Sequence, residues 1–255
     1  MALKILTNSV WGQSAVIKVT DTSNADTTEQ AGIETLIGGL PHLYWTSSDT
    51  TEKRIVYLNK NSGISSTHFI LKRADKHLGH KINLYKSSSY SSSISSVVSS
   101  SDPIVAGDLI GTNDDSLVLE CASTNVEALI AEFKSGTGGT YTKYIHQCFF
   151  STAYDLEYTN SYKTLSLPFP SAITKSNKTY LVNKQISISV NKLTRTQINS
   201  FYALYKINQE PFFLYDSTGN FLRKKLIHCI ANKFAVSQAT DDHYILNLDL
   251  YELRH

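Results

Sequence analysis

The first part of the chain consists of short apolar segments separated by polar turns. Segments repeated at roughly 8–12-residue spacing are typical of an antiparallel sandwich or jelly roll rather than of a parallel α/β sheet. The pattern predicts strands at Arg54–Leu58, Thr67–Lys72, Lys81–Lys86, Ser116–Cys121 and Tyr144–Phe150. Val126–Phe133 fits a further strand, but its apolar residues also fit one face of a helix, and both alternatives stay open.

The last third of the chain alternates more regularly. Gln185–Val190 has apolar residues at every second position, which predicts a half-buried strand. Thr194 and Gln197 have the spacing of a capping box, so a helix is expected to begin there. The predicted buried stripe of that helix is Ile198, Phe201, Tyr202 and Tyr205. The elements expected after it are a strand at Phe212–Tyr215, a hairpin apex at Gly219-Asn220, a strand at Phe221–Ile230 and a strand at Tyr244–Leu253.

A change of organisation is expected near Leu167–Pro170. Its two prolines cannot donate ladder hydrogen bonds, so the segment is interpreted as a domain connection or a sheet edge. We therefore predict a mainly β protein with two domains. Residues 1–155 form a jelly-roll-like β-sandwich, and residues 156–255 form a smaller α+β domain with one helix.

Residues 87–101 form a low-complexity segment in which eleven of the fifteen residues are serine. Such a composition offers little apolar area to bury, which favours a flexible loop. The alternative is a loop that becomes ordered only against a neighbouring subunit.

Composition excludes several classes of protein. Of the 255 residues only 18% are charged, and the net charge of +2 gives no field that would attract nucleic acid or an anionic membrane. The short basic groups Lys72-Arg73 and Arg223–Lys225 are interpreted as solvated strand faces. The first eleven residues lack the apolar stretch of about seven that a signal peptide needs, and three distant cysteines do not suggest a disulfide framework. We therefore expect synthesis in a reducing cytoplasm.

Motifs for catalysis or cofactor binding are weak. No Gly-x-Ser-x-Gly elbow occurs, and Gly136–Gly139 lacks the Lys-Ser/Thr of a phosphate-binding loop. His68, His77 and His80 are the best metal candidates, but His77 and His80 flank a predicted turn and further ligands are not evident. Asp114-Asp115 and Asp241-Asp242 fit turns. We predict no catalytic residue, cofactor or metal ion. A third alternative is a β-sandwich hydrolase, whose catalytic carboxylates would converge from distant parts of the chain.

Residues 180–253 carry a loose motif that resembles the tail-tube-like unit of bacteriophage distal-tail and tail-tip proteins. The residues that carry the resemblance are Leu193-Thr194, Phe201, Leu204-Tyr205, Pro211–Leu214 and Asp216. The resemblance implies a β-sandwich flanked by one helix that assembles into rings.

The N-terminal region resembles a jelly roll found in some phage structural proteins, on the residues Tyr44–Ser48, Ile55–Leu58, the strand ending at Arg73, and Leu78–His80. A related layout occurs in discoidin-like carbohydrate-binding modules, in which loops at one end carry the ligand.

The resemblance implies a non-enzymatic structural component of a phage tail tip or baseplate. As such, the protein would form a ring of three or six copies, link the tail tube to hub or fibre proteins, and reside in the virion, with no nucleic-acid or membrane partner. The alternative is a carbohydrate-binding jelly-roll module for host-receptor recognition, in which Tyr44 or Trp45 carries the binding.

Overall fold

The computed structural model describes residues 3–7, 15–21, 32–36, 43–59, 64–73, 81–87, 93–99, 101–109, 116–134, 142–157, 159–175, 177–207, 210–217 and 226–253. Strands β1 to β8 are Leu3–Leu6, Ala15–Asp21, Trp45–Thr46, Lys53–Asn59, Ile64–Arg73, Lys81–Ser87, Asp102–Leu109 and Ser116–Val126. Strands β9 to β16 are Ala128–Lys134, Tyr144–Ser151, Ala153–Leu156, Thr159–Lys175, Lys178–Leu193, Phe212–Asp216, Leu226–Gln238 and Tyr244–Leu253. Helices α1 and α2 are Ile94–Ser99 and Arg195–Ile207, and a 3-10 turn spans Ile33–Leu36. In these ranges no helix has the length and apolarity needed to cross a membrane.

The chain divides into two units that are not consecutive in sequence. The sandwich unit comprises Asn8–Gly38 and Leu43–Thr152, and the sheet–helix unit contains Met1–Thr7 and Ala153–His255. The division predicted from the sequence, 1–155 and 156–255, assigns β1 to the sandwich. In the structure β1 instead pairs with β11 and β14 of the larger sheet. Its side chains Leu3 and Ile5 belong to the apolar core of that sheet, which accounts for the difference.

The sandwich unit has two antiparallel sheets, as predicted. One has the strand order β2-β4-β9-β6-β7, and the other has the order β3-β10-β5-β8. Tyr57 of the first sheet donates its hydroxyl to the backbone oxygen of Cys148 in the second, and its ring lies 5.4 Å from that of Phe150. The fold class is therefore mainly β, with a jelly-roll-like sandwich.

The ambiguous segment 126–133 is largely a strand, β9. Every residue of β9 except Lys134 is buried, so its burial does not alternate. On one face of β9, Ala128 and Ile130 belong to the apolar cluster that includes Ile94 and Val97 of α1. On the other face, Leu129 is fully buried. Because both faces of the strand are covered, its sequence lacks the period of two that marks a half-exposed strand.

The serine-rich segment contains a helix where a flexible loop was expected. Ile94 and Val97 of α1 are buried, and they pack against Val56, Leu58 and Ile130 on the outer face of the five-stranded sheet. The helix is also tied at its C-terminal end, where the N–H and hydroxyl of the following serine, residue 101, donate to a helix carbonyl. Within 93–99 the segment therefore packs against a sheet of its own chain.

The sheet–helix unit is a seven-stranded antiparallel sheet, in the order β11-β1-β14-β15-β16-β13-β12, with α2 on one face. The predicted capping box is confirmed, since Gln197 Oε1 accepts from the Thr194 N–H at 2.8 Å and Thr194 Oγ1 accepts from the Gln197 N–H. Ile198 and Phe201 are buried as predicted, but Tyr202 is 37% exposed. The buried face continues instead with the partly buried Leu204.

The Leu167–Pro170 segment lies within β12, the last strand of the sheet. It is therefore a sheet edge and not a domain connection. The pairing with β13 is irregular between Ser166 and Ser171, because proline has no N–H for the ladder. The predicted hairpin apex at Gly219-Asn220 lies outside the described residues, and β14 and β15 pair as antiparallel strands.

Candidate functional site

Exposed aromatic side chains lie where β3 pairs with β10. The ladder has two residue pairs, Thr46 with Tyr144 and Trp45 with Ile145. Since neighbouring residues of a strand point to opposite faces, Trp45 and Ile145 enter the core, where they are 1% and 2% exposed. The residues that precede them in the chain, Tyr44 and Tyr144, keep solvent contact.

We call Tyr44, Tyr144 and His146 the aromatic surface. The Tyr44 ring lies 6.0 Å from the Tyr144 ring and 5.8 Å from the His146 ring, edge to face in both pairs. Tyr44 is nevertheless 48% exposed, and its neighbour Leu43 is 41% exposed. The surface therefore presents an aromatic ring to solvent in an orientation fixed by two others.

His146 is placed by a β-bulge and by a hydrogen bond. The register of β10 against β5 shifts between Ile145 and Gln147, so His146 is the extra residue of the bulge. Its Nδ1 lies 2.9 Å from the backbone oxygen of Leu43. Because a carbonyl oxygen can only accept, Nδ1 carries the proton in this contact. The segment before β3 is thereby tied to β10.

A buried carboxylate lies elsewhere on the sandwich, on the face of the five-stranded sheet that carries α1. Glu132 Oε1 accepts from Arg54 Nε at 2.8 Å. Its Oε2 accepts from Asn83 Nδ2 and from the Tyr85 hydroxyl, both at 3.0 Å, and lies 3.3 Å from Lys134 Nζ. Burial alone raises the pKa of the Glu132 carboxyl, but the hydrogen bonds from Asn83 and Arg54 outweigh it and the pKa lies below its ordinary value. With both oxygens occupied, this Glu132 network is suited to holding three strands in register.

The histidines and aspartates considered as ligands do not form a site among the described residues. His68 is buried on β5, and its Nε2 lies 3.7 Å from Glu120 on the neighbouring strand. Asp241 and Asp242 are exposed between β15 and β16. The described part of the chain brings no three His, Cys, Asp or Glu side chains together as metal ligands. His77, His80, Asp114-Asp115 and Gly136–Gly139 lie outside it.

Cys148 and Cys229 are buried free thiols. Burial raises the pKa of the Cys148 thiol to about 12 and that of Cys229 well above its ordinary value. Since the thiolate is the reactive form, neither group is suited to nucleophilic attack.

Sequence reasoning identified one member of the aromatic surface and missed two. Tyr44 is exposed, as the expected ligand contact would need, whereas Trp45 is 1% exposed and lies in the core. Tyr144 and His146 alternate with the apolar Ile145 at the start of a predicted strand. That alternation was the available signal, because it places the two aromatic rings on the solvent side.

Neither a protein-family model nor a curated protein matches the chain. Among solved structures it is similar to a putative alpha-L-fucosidase from Bacteroides thetaiotaomicron, at 12% identity and a TM-score of 0.41, over 55% of this chain and 28% of the fucosidase. It is also similar to a pectin-binding carbohydrate-binding module, at 10% identity and a TM-score of 0.41, over 55% of this chain and 91% of the module. A third is the family 32 carbohydrate-binding module of C. perfringens NanJ in complex with galactose, at 10% identity and a TM-score of 0.42, over 58% of this chain and 99% of the module.

This chain thus spans little more than a quarter of the fucosidase and nearly all of each module. Similarity of this extent leaves function to be argued from the surface of the protein itself.

Proposed function

We propose that the sandwich unit is a non-enzymatic carbohydrate-binding module and that the aromatic surface is its contact site. The observation that carries the proposal is the exposure of Tyr44 against the fixed rings of Tyr144 and His146. Among the large apolar side chains described in this unit, Val16, Leu43 and Tyr44 are exposed, and the last two are adjacent.

The chemistry of this surface suits a sugar. An aromatic ring offers a flat apolar area that can cover the C–H face of a pyranose, and the tyrosine hydroxyls supply polar contacts at its rim. The imidazole of His146 adds a polar group whose orientation is held by the Leu43 carbonyl. In the proposed function, this surface recognises a glycan of a host receptor.

Substituting Tyr44 with alanine tests the proposal. The Y44A protein is expected to bind a glycan identified on an array at least about tenfold more weakly, because the central aromatic contact of a small site carries much of its binding energy. Y202A is the matched control, since Tyr202 is 37% exposed but lies on α2 of the other unit. Titration calorimetry measures both. Equal affinity of Y44A and wild type would exclude the aromatic surface as the site.

A second candidate function, assembly of a phage tail ring, is favoured by the open edge of the large sheet. Strand β12 is 17 residues long and pairs with β13 on one side, and no strand is described on its other side. Residues 163–166 are exposed in succession, and Leu165 is 64% exposed. An unpaired edge of this kind can accept a strand of a neighbouring chain. In this reading the protein is a virion tail component that links the tail tube to hub or fibre proteins as a trimer or hexamer.

Substituting Leu165 with aspartate tests the assembly role. Wild type is expected to form rings of three or six copies in light scattering and negative-stain images, and L165D to remain monomeric with its unfolding midpoint unchanged. A charge at this edge opposes pairing with a strand of another chain. Because residue 165 is exposed, the substitution should change the free energy of unfolding by no more than about 0.5 kcal/mol. V16D is the control, because Val16 is 47% exposed on the sandwich unit. A wild type that stays monomeric at all concentrations would contradict this function.

A further inference from the structure

We infer that Lys143 is a positioning residue for the aromatic surface, acting through the turn Ser47–Thr51, which we call the clamped turn. The inference rests on the proposed carbohydrate-binding function. Its physical basis is a buried ammonium group that donates hydrogen bonds to the backbone carbonyls of the clamped turn.

Lys143 holds the clamped turn with both its backbone and its side chain. The residue is 3% exposed. Its backbone N–H donates to Ser47 Oγ at 2.9 Å, and its carbonyl accepts from the Ser47 N–H at 3.0 Å. Its Nζ donates to the backbone oxygen of Thr50 at 3.2 Å and to that of Thr51. A buried ammonium requires such acceptors, so the two carbonyls must stay directed at residue 143.

The clamped turn is also braced internally. Ser47 Oγ donates to the backbone oxygen of Asp49 at 2.6 Å, and Asp49 Oδ1 accepts from the N–H and the hydroxyl of Thr51 at 2.8 and 2.6 Å. The hydrogen bonds from Thr51, together with the nearby Lys53, lower the pKa of the Asp49 carboxyl to about 2. The turn therefore behaves as one rigid piece whose attachment to β10 runs through Lys143.

This attachment matters because the β3–β10 ladder is short. Two residue pairs join β3 to β10, and Tyr44 immediately precedes β3. The ladder is bracketed by the Leu43–His146 hydrogen bond at one end and by the Ser47–Lys143 contacts at the other. Since a two-pair ladder offers few hydrogen bonds of its own, the bracketing contacts set where Tyr44 sits relative to Tyr144 and His146.

Substituting Lys143 with methionine removes the ammonium and keeps an unbranched side chain. K143M is expected to bind the glycan about tenfold more weakly, through loss of preorganisation. Amide hydrogen exchange over residues 44–51 is expected to accelerate with or without glycan. K81M is the control, because Lys81 is exposed at the start of β6. If K143M matched wild type in both affinity and exchange, the inference would be wrong.

Chemical rescue separates positioning by the ammonium from a general packing effect. Lys143→Ala lacks the propylammonium part of the side chain, so added n-propylammonium is expected to restore protection of residues 44–51, while tetramethylammonium, which has no N–H donor, is not. If neither Lys143 variant folds, S47A removes the Oγ that joins the turn to residue 143 and should loosen the same segment. If the Lys143 variants exchange faster than wild type but wild type binds no glycan, the positioning role is supported and the proposed function is wrong. If wild type binds a glycan but the variants exchange at the wild-type rate, the proposed function is supported and the positioning role is wrong.

Discussion

Replacing Glu132 with alanine is expected to lower the free energy of unfolding of the sandwich unit by about 3–5 kcal/mol, because it leaves the largely buried Arg54 guanidinium without its counterion and the donors of Asn83 and Tyr85 without their acceptor. Arg54, Asn83 and Tyr85 all donate to the Glu132 carboxylate, whose side chain is 1% exposed, and the Arg54 side chain is 15% exposed. Urea denaturation followed by tryptophan fluorescence measures the change, since Trp45 lies in the core of this unit.

Glu120→Ala is the matched control for Glu132→Ala. The Glu120 side chain is 52% exposed and faces His68 at 3.7 Å across the ladder between β5 and β8. Because the Glu120 carboxylate keeps its solvent contact and lies 3.7 Å from the imidazole, its contribution is expected to be about 0–1 kcal/mol, so this variant should unfold close to the wild-type midpoint. Equal losses in the two variants would mean that the Glu132 network contributes no more than a surface pair.

The same network predicts a loss of stability in acid. The pKa of the Glu132 carboxyl in the folded protein lies below its ordinary value of 4.5, so the unfolded chain binds the proton more readily. The contribution is therefore complete above pH 4.5 and disappears as the pH falls through the folded-state pKa. Glu132→Gln should remove this part of the pH dependence. Asp49, whose pKa is lowered from its ordinary value of 3.8 to about 2, should add a further loss of stability below pH 3.8 in both proteins.

The Glu132 network shows which part of the structure sequence patterns could not supply. Strands β4 and β6 were predicted from short apolar segments bounded by turn residues, whereas the segment of β9 also fitted a helix. The partners of Glu132 are 78, 49 and 47 residues away along the chain, and no local pattern specifies which polar residues of three strands share a face. Strand β1 illustrates the same limit, since its four residues pair with β11 and β14, which both belong to the second half of the chain.

The candidate site was only partly predictable for a related reason. The capping box at Thr194 could be predicted because both of its residues lie within one turn of helix. The aromatic surface joins Tyr44 to two residues of β10, and it exists only because β3 and β10 are neighbours in the folded sheet. Which of Tyr44 and Trp45 faces solvent depends on that register, since a shift by one residue exchanges the two faces.

Replacing Val97 with aspartate is expected to detach α1 from the sandwich and to cost about 3 kcal/mol of stability. This is of the order of the free energy gained by burying the side chains of Ile94 and Val97. Val97 is 0% exposed in the cluster with Val56, Leu58 and Ile130, and a carboxylate there would have no partner in an apolar environment. The composition of the serine-rich segment conceals this anchoring, because two apolar residues three apart on a short helix are enough to bury one face.

Ser96→Asp tests whether Val97→Asp acts through burial. Ser96 is exposed on the same helix, so an identical new charge there should shift the unfolding midpoint little. Hydrogen exchange and limited proteolysis of residues 93–99 measure the detachment directly, and Val97→Asp should expose this segment while Ser96→Asp leaves it protected. Equal protection in the two variants would mean that α1 is not held by its apolar face, and that the serine-rich segment takes its order from another contact.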